Sequence, residues 1–126
     1  MQDQRGFIYL VEHDFAVRDS LRFALETEGL LVQEFPDAAS LLAQSRFEPH
    51  SCLVLAGELN DVNSIALVRM LRKRGVSIPA ILLATFPGRN LIAESRKLNV
   101  YIAECPFVAD DLIDAILATL DSTRSN

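Results

Sequence analysis

The sequence predicts an α/β fold in which a doubly wound, five-stranded parallel sheet has strand order 2-1-3-4-5 and helices on both faces. Two observations carry this prediction. Five short apolar runs alternate along the chain with five segments whose apolar residues recur at helical spacing. Such an alternation requires right-handed crossovers and therefore a parallel sheet buried on both faces. The 126 residues suit one domain.

Each element of the first half has a start or a stop signal. The run Phe7–Val11 is continuously apolar and follows Gly6, as in a strand that is buried on both faces. Apolar residues then recur at i, i+4, i+7 and i+8 from Val17, which predicts an inward helix face and a stop at Gly29. Asp37 caps a short helix after a proline turn. The expected elements are strands at 7–11 and 31–35 and helices at 15–28 and 38–44.

The second half repeats the alternation. Ile65, Val68 and Leu71 predict the inward face of a helix, and Pro79 introduces the strand that follows it. The expected elements are strands at 51–56, 80–84 and 100–103 and helices at 64–74, 90–98 and 108–120. Residues 1–121 are assigned to one folded domain, and residues 122–126 to a tail or the start of a linker.

Composition excludes several classes of function. The net charge of −5 and the pI of 4.9 disfavour direct contact with nucleic acid, whose phosphates attract basic surfaces. The dense basic run, residues 69–74, is explained by the last turn of a helix that ends at Gly75. No apolar stretch approaches the ~18 residues of a membrane span, and the polar N-terminus does not resemble a signal peptide. We therefore expect a cytoplasmic protein with no membrane contact.

Several short motifs, in order, give a resemblance to a known family. They are Ile8-Tyr9-Leu10-Val11, Val17-Arg18-Asp19-Ser20-Leu21, Leu53-Val54-Leu55, Ile78-Pro79-Ala80-Ile81 and Glu104-Cys105-Pro106-Phe107. Together they resemble the receiver domain of bacterial response regulators of the FixJ and NarL type. The resemblance runs from Phe7 to Leu120 and implies a CheY-like, flavodoxin-like fold for a receiver-like domain at 1–121. It also implies a cis peptide bond before Pro106.

The same resemblance implies that the phosphorylation site is degenerate. It aligns Ala56 with the aspartate that accepts the phosphoryl group, and a methyl group cannot act as a nucleophile. It aligns Glu12 and His13 with the two acidic residues that bind Mg²⁺, for which carboxylate oxygens are the suitable ligands. Ala84 takes the place of the family's threonine or serine, and Cys105 that of its lysine. We expect Mg²⁺ affinity to be lost and no cofactor to be bound.

Two neighbouring positions leave alternatives open. Thr85 would restore a hydroxyl if the alignment of the fourth strand slipped by one residue. The switch aromatic of the family aligns with Ile102, and Tyr101 is one position away. A shift of one residue places a side chain on the opposite face of a sheet, so Tyr101 is not an obvious substitute.

The function expected from this pattern is that of a phosphorylation-independent receiver, a pseudo-receiver without enzymatic activity that acts by protein–protein contact in two-component signalling or transcriptional control. The expected partner is a second copy or another signalling protein, such as a histidine kinase, a regulator or an output domain. An alternative is a sensor that binds a small molecule in the emptied pocket. Less favoured alternatives are phosphotransfer to Asp14, Glu58 or Asp61, a Cys105–His13 nucleophile, and a transition-metal site that adds Glu12 to that pair.

The expected contact surface lies on the last helix and its surroundings. Ile113, Leu117 and Leu120 form a second apolar stripe on that helix, which suggests a partner, although a single wide stripe facing the core is the alternative. Exposed anchors are also expected elsewhere on the surface. The complete set of candidate contact residues is Phe23, Phe86, Leu91, Ile113, Leu117 and Leu120.

Overall fold

The computed structural model describes residues 6–56, 59, 61–84, 87–104 and 109–124. It has five parallel strands in the order β2-β1-β3-β4-β5, which confirms the predicted fold. The strands are β1 (Phe7–Val11), β2 (Leu31–Phe35), β3 (Ser51–Ala56), β4 (Ala80–Ala84) and β5 (Val100–Glu104). The helices are α1 (Phe15–Thr27), α2 (Ala38–Leu42), α3 (Ser64–Lys73), α4 (Arg89–Lys97) and α5 (Ala109–Arg124).

The sheet separates two apolar clusters. Because side chains alternate along each strand, Tyr9 and Leu53 face α2, α3 and α4, whereas Leu10 and Val54 face α1 and α5. Both clusters are closed by helix residues that are buried in the core. The helices therefore cover both faces, and the ends of the strands remain as the places where a site can form.

The last helix corrects the prediction of an exposed second stripe. Ile113 is 8 % exposed and Leu120 is 1 % exposed, and both belong to the cluster under α1 and α5. Leu117 is half-buried against the same cluster. One wide inward stripe therefore accounts for all three residues, since a helix that crosses a sheet can bury more than 100° of its surface. The helix also continues to Arg124, beyond the predicted end at residue 120.

The first helix is less buried than predicted, whereas the last helix is more buried than predicted. Val17, expected on the inward face, is exposed, and Leu25 is the residue of α1 that is fully buried. Arg18 and Arg22 instead direct their guanidinium groups to Glu34 on β2, at 3.3 Å and 3.0 Å. Polar contacts thus attach α1 to an edge of the sheet.

Candidate functional site

The carboxyl ends of β1, β3 and β4 meet at one edge of the sheet, as the family's site would require. Val11 is in register with Leu55, Ala56 with Leu83, and Ala84 with Glu104. These pairings place Glu12, Ala56 and Ala84 on three neighbouring strand ends. Thr85, Phe86 and Cys105 lie outside the described residues, and so does the Cys105–Pro106 peptide bond.

Glu12 follows β1 at this edge, and its carboxylate is turned into the loop that follows the strand. The residue is 7 % exposed, and its Oε2 accepts a hydrogen bond of 2.9 Å from the backbone N–H of Asp14. Nδ1 of His13, on the exposed side, lies 3.5 Å from the same oxygen. The backbone carbonyl of Glu12 accepts a bond of 2.8 Å from Arg18. The carboxylate therefore orders the start of α1.

Two acids considered as alternative phosphoacceptors also have structural contacts. Asp14 accepts a bond of 3.0 Å from the backbone N–H of Val17 and caps α1, as predicted. Asp61 accepts bonds from the backbone N–H groups of Ala38 and Ala39, at 3.1 Å and 3.0 Å. These amide bonds hold the pKa of Asp61 below its ordinary value. Glu58, the third alternative, lies outside the described residues.

The bonds of Asp61 were not anticipated from the sequence. They join the loop before α3 to the first turn of α2, across more than 20 residues of chain. Helix caps are recognised in a sequence by residues within three or four positions of the helix start, as for Asp37. No signal at the position of Asp61 itself predicts a cap that arrives from a distant loop.

The described part of this edge does not suit Mg²⁺. Among the residues that the structure describes, no three His, Cys, Asp or Glu side chains are grouped closely enough to hold a metal ion. Glu12 and Glu104 end strands that are three spacings apart in the sheet, which separates them by about 14 Å. Ala84 is half-buried and packs against the apolar cluster on the α3 side. The donor set thus does not fit the octahedral oxygen shell that this cation requires.

A different surface combines exposed apolar groups with opposite charges. Tyr101 on β5, the edge strand, is 56 % exposed, and Ile92 on α4 is also exposed. Helix α4 exposes Arg89, Arg96 and Lys97, whereas α5 exposes Asp111, Asp114 and Asp121. We call this surface the α4–β5–α5 face. It carries a basic helix, an apolar edge strand and an acidic helix.

The other predicted anchors have different environments. Phe23 on α1 is 72 % exposed, as expected for the outer side of that helix. The prediction that Leu91 on α4 is an exposed contact residue is wrong, because it is half-buried and packs against the core. A cavity of about 180 Å³ is lined by Pro79, Ala80, Asn99, Tyr101 and Thr119. It lies at the amino ends of β4 and β5, away from the edge that carries Glu12.

Comparison with known proteins supports the resemblance. The transcriptional regulatory protein TdiR of Thauera aromatica is 29 % identical over 118 residues, which cover 93 % of this chain and 52 % of TdiR. FixJ of Bradyrhizobium diazoefficiens is 29 % identical over 114 residues, covering 90 % of this chain and 55 % of FixJ. The chain spans about half the length of the curated relatives it matches. No protein-family model matches it.

Solved structures agree with this result. Full-length FixJ from B. japonicum superposes with a TM-score of 0.82 at 26 % identity, over 96 % of this chain and 60 % of that one. A CheY-like receiver domain from Methanospirillum hungatei JF-1 has a TM-score of 0.85 at 22 % identity, over 95 % and 97 % of the two chains. At 22 % identity, the similarity to the Methanospirillum hungatei domain shows a shared fold. The chain is therefore similar in sequence to response regulators such as FixJ and TdiR, and similar in fold to CheY-like receiver domains.

Proposed function

We propose that this receiver domain is a phosphorylation-independent pseudo-receiver that acts by protein–protein contact and has no catalytic activity. The observation that carries the proposal is the state of Glu12. Of the three positions that are acidic in the family's site, 12, 13 and 56, this one retains a carboxylate, and that carboxylate accepts a hydrogen bond from the backbone of Asp14. Ala56 offers no oxygen to accept a phosphoryl group. The proposed role is in cytoplasmic two-component signalling or transcriptional control.

The partner that we propose is a second copy of the chain, bound through the α4–β5–α5 face. An isologous dimer brings each surface patch against the same patch of its partner, so a face with both a basic and an acidic helix can complement itself. Tyr101 is a suitable central anchor, because aromatic residues are enriched at the centres of interfaces. The proposed contact is made by this exposed tyrosine and by the charges of α4 and α5, since Ile113 and Leu120 are in the core.

Sedimentation of the 126-residue chain over a wide concentration range tests both parts of the proposal. The runs are repeated with Mg²⁺ and with Mg²⁺ plus beryllofluoride, a mimic of the phosphoryl group. We expect a monomer–dimer equilibrium that neither addition changes. A dimer that forms only with beryllofluoride would contradict phosphorylation independence, and a monomer under all conditions would contradict the homodimer.

A pair of matched variants locates the contact. Tyr101→Glu and Phe23→Glu each place a carboxylate on an exposed aromatic position, one on β5 and one on α1. We expect Tyr101→Glu to weaken the dimer at least tenfold, because an anchor is lost and a charge is buried at the centre of the contact. Phe23→Glu should leave the dimer unchanged. The reverse pattern would assign the contact to α1.

Two alternative functions, small-molecule sensing and phosphotransfer to another carboxylate, are considered separately. The cavity beside Tyr101 is at the amino ends of the strands, so it gives no support to a small molecule in the emptied phosphorylation pocket. Phosphotransfer to another carboxylate predicts Mg²⁺-dependent labelling of the chain by radioactive acetyl phosphate. We expect no labelling of Asp14 or Asp61, because both carboxylates accept hydrogen bonds from backbone N–H groups.

A further inference from the structure

The cavity of about 180 Å³ at the amino ends of β4 and β5 is separate from the candidate phosphorylation site, which lies at the carboxyl ends of the strands. Pro79 and Ala80 line it at the start of β4, and Asn99 and Tyr101 line it around the start of β5. Thr119 completes the lining from α5. The cavity thus lies where two strand starts and the last helix meet.

The apolar part of the lining includes one aromatic ring. Tyr101 is in register with Ile81, which belongs to the cluster under α1 and α5. Residues in register on neighbouring strands place their side chains on the same face, so Tyr101 is on the side of the sheet that α5 covers. Its ring gives the cavity a flat wall, and Pro79 and Ala80 supply small apolar groups. Such walls suit a planar ring better than a flexible chain.

The polar part of the lining has hydrogen-bonding capacity that the protein does not use. The hydroxyl of Thr119 donates to the backbone carbonyl of Ala115 at 2.8 Å, so its oxygen can only accept a further bond. Within the part of the chain that the structure describes, neither the side-chain amide of Asn99 nor the hydroxyl of Tyr101 makes a hydrogen bond. An amide offers a donor and an acceptor side by side. A ligand with the complementary pair on one edge can bond to both.

The backbone of Asn99 accounts for its position but not for its amide. The residue follows Leu98, the C-terminal cap of α4, and has a φ of 60°. Glycine is the usual residue at this place in a helix terminus, and asparagine is the next. The terminus therefore needs the left-handed backbone and not the side chain. Asn99→Gly consequently removes the amide from the cavity while the backbone conformation is kept.

Size and charge narrow the class of ligand. A cavity of about 150 Å³ holds benzene, so this one has room for an aromatic ring with substituents. None of the described residues that line it is charged, which favours a neutral ligand. Asparagine bonds in pairs to the amino group and the neighbouring ring nitrogen of adenine, and tyrosine stacks on nucleobases. An amino group can also donate to an oxygen that only accepts, as in Thr119.

We propose that this cavity binds a neutral nucleobase that carries an amino group beside a ring nitrogen, the chemistry of adenine. The base stacks on Tyr101, and its amino edge bonds to Asn99 and Thr119. The same base occurs in free adenine, in a nucleoside and in a nucleotide. Arg96 and Lys97, exposed in the last turn of α4, are the basic residues that precede Asn99 and could attract the phosphate of a nucleotide.

Titration of the ¹⁵N-labelled 126-residue chain with adenine, followed by two-dimensional NMR, tests the site. We expect saturable shifts at the amides of Ala80, Asn99, Tyr101 and Thr119, with a Kd on the order of 1 mM for so small a ligand. Purine, which has the same rings but no amino group, should bind about fivefold more weakly, because its hydrogen bonds are lost. Shifts that do not saturate, or that lie elsewhere, would overturn the site.

Matched variants separate the side chains from the fold. Asn99→Gly and Thr119→Val should each weaken adenine binding about fivefold and reduce the preference for adenine over purine. Thr27→Val is the control, because Thr27 on α1 makes the same bond of 2.8 Å to the carbonyl four residues earlier. It should bind as the wild type does. Wild-type affinity in both Asn99→Gly and Thr119→Val would overturn the assignment, and if Thr119→Val unfolds, Asn99→Gly decides it.

Adenosine and AMP identify the source of the base. Equal affinity for both would assign the base or nucleoside as the ligand. Tighter binding of AMP that is lost in salt would assign a nucleotide held by the end of α4. Weaker binding of both than of adenine would assign the free base. Failure of all three ligands to bind would overturn the proposal.

The inference does not rest on the proposed dimer, because the five lining residues belong to one chain. Spectra are therefore recorded at a concentration at which sedimentation finds a monomer. A chain that never dimerises but binds adenine overturns the homodimer and supports the cavity site. A chain that dimerises, and whose monomer does not bind adenine, overturns the cavity site and leaves the homodimer standing.

Discussion

At the scale of single residues, Tyr9 shows how one side chain in a strand orders a distant loop. Its ring is buried in the middle of β1, between the rings of Phe7, Phe35 and Phe47. Its hydroxyl oxygen accepts a hydrogen bond of 2.8 Å from the backbone N–H of Glu48. Burial raises the pKa of Tyr9, so the neutral phenol is the form that the folded chain favours. The loop before β3 is therefore tied to the core through a polar atom.

Replacing this hydroxyl tests the tie. Tyr9→Phe should lower the free energy of unfolding by about 1–2 kcal/mol, because the N–H of Glu48 loses its partner. In the wild type, stability should also fall as the pH rises past the ordinary tyrosine pKa of about 10, since the unfolded chain then releases its proton more readily. Urea denaturation at pH 7 and pH 10.5 measures both effects. An equal loss in Tyr101→Phe, on the exposed ring, would contradict the assignment.

Restoring the acceptor carboxylate tests how far the site has changed. We expect Ala56→Asp to show no Mg²⁺-dependent labelling by acetyl phosphate. His13 and Ala84 replace two further groups of the family's site, and the carboxylate of Glu12 is bound to the N–H of Asp14. A receiver with intact acids, labelled in parallel, serves as the control. Labelling of the introduced carboxylate would mean that Glu12 can leave its loop contact and bind the cation.

At the scale of elements, the short helix α2 depends on capping from two directions. Asp37 accepts a bond from the N–H of Ser40 inside the helix, at 2.8 Å, and Asp61 caps the same helix from the loop before α3. Four N–H groups at a helix start have no partner within the helix, so two acids can act there together. The helix is five residues long and is consequently sensitive to these contacts.

The charge of Asp61 should make this contact dependent on pH. Its pKa is lower in the folded chain, so its contribution to stability is complete above the ordinary value of about 3.9 and is lost as the pH falls through the folded value. Asp61→Asn should therefore be less stable than the wild type at pH 7, and the difference should become smaller at pH 3. Thermal unfolding at both pH values measures this. Asp114→Asn, an exposed change on α5, is the control, and an equal effect there would show a general charge effect instead.

Helices and strands were predictable from the sequence because their apolar periodicity and their stop signals are local. Helix starts and ends differ from prediction by one or two residues, apart from α5, where no glycine or proline marks an end near residue 120. The exposure of Val17 and the burial of Ile113 were not predictable, because periodicity gives a helix face but not its width. The bonds of Asp61 to the N–H groups of Ala38 and Ala39 were not predictable either, because tertiary structure brings these residues together.

At the scale of the whole molecule, Cys52 reports on global unfolding. It is fully buried in β3, and burial raises the pKa of its thiol to about 12. A buried, protonated thiol does not react with alkylating reagents until the sheet opens. Modification of this residue therefore measures the population of opened molecules.

We expect iodoacetamide at pH 8 to modify Cys52 in the folded chain at least about a thousandfold more slowly than in urea, in keeping with the small unfolded fraction of a stable domain. Mass spectrometry of the peptide that contains Cys52 gives the rate. A native rate close to the rate in urea would contradict the burial of this strand.

The two edges of the sheet differ in their capacity to recruit another strand. Glu34, with its two arginine partners, places ionised groups along β2, and charges of this kind discourage edge-to-edge pairing. The other edge, β5, has Val100, Tyr101, Ile102 and Ala103 in succession and no charge before Glu104. Sheet growth across β5 joins two copies and leaves a charged β2 at each outer end. Such growth terminates at a pair, so this chain should remain free of fibrils at concentrations where a sheet with two open edges would polymerise.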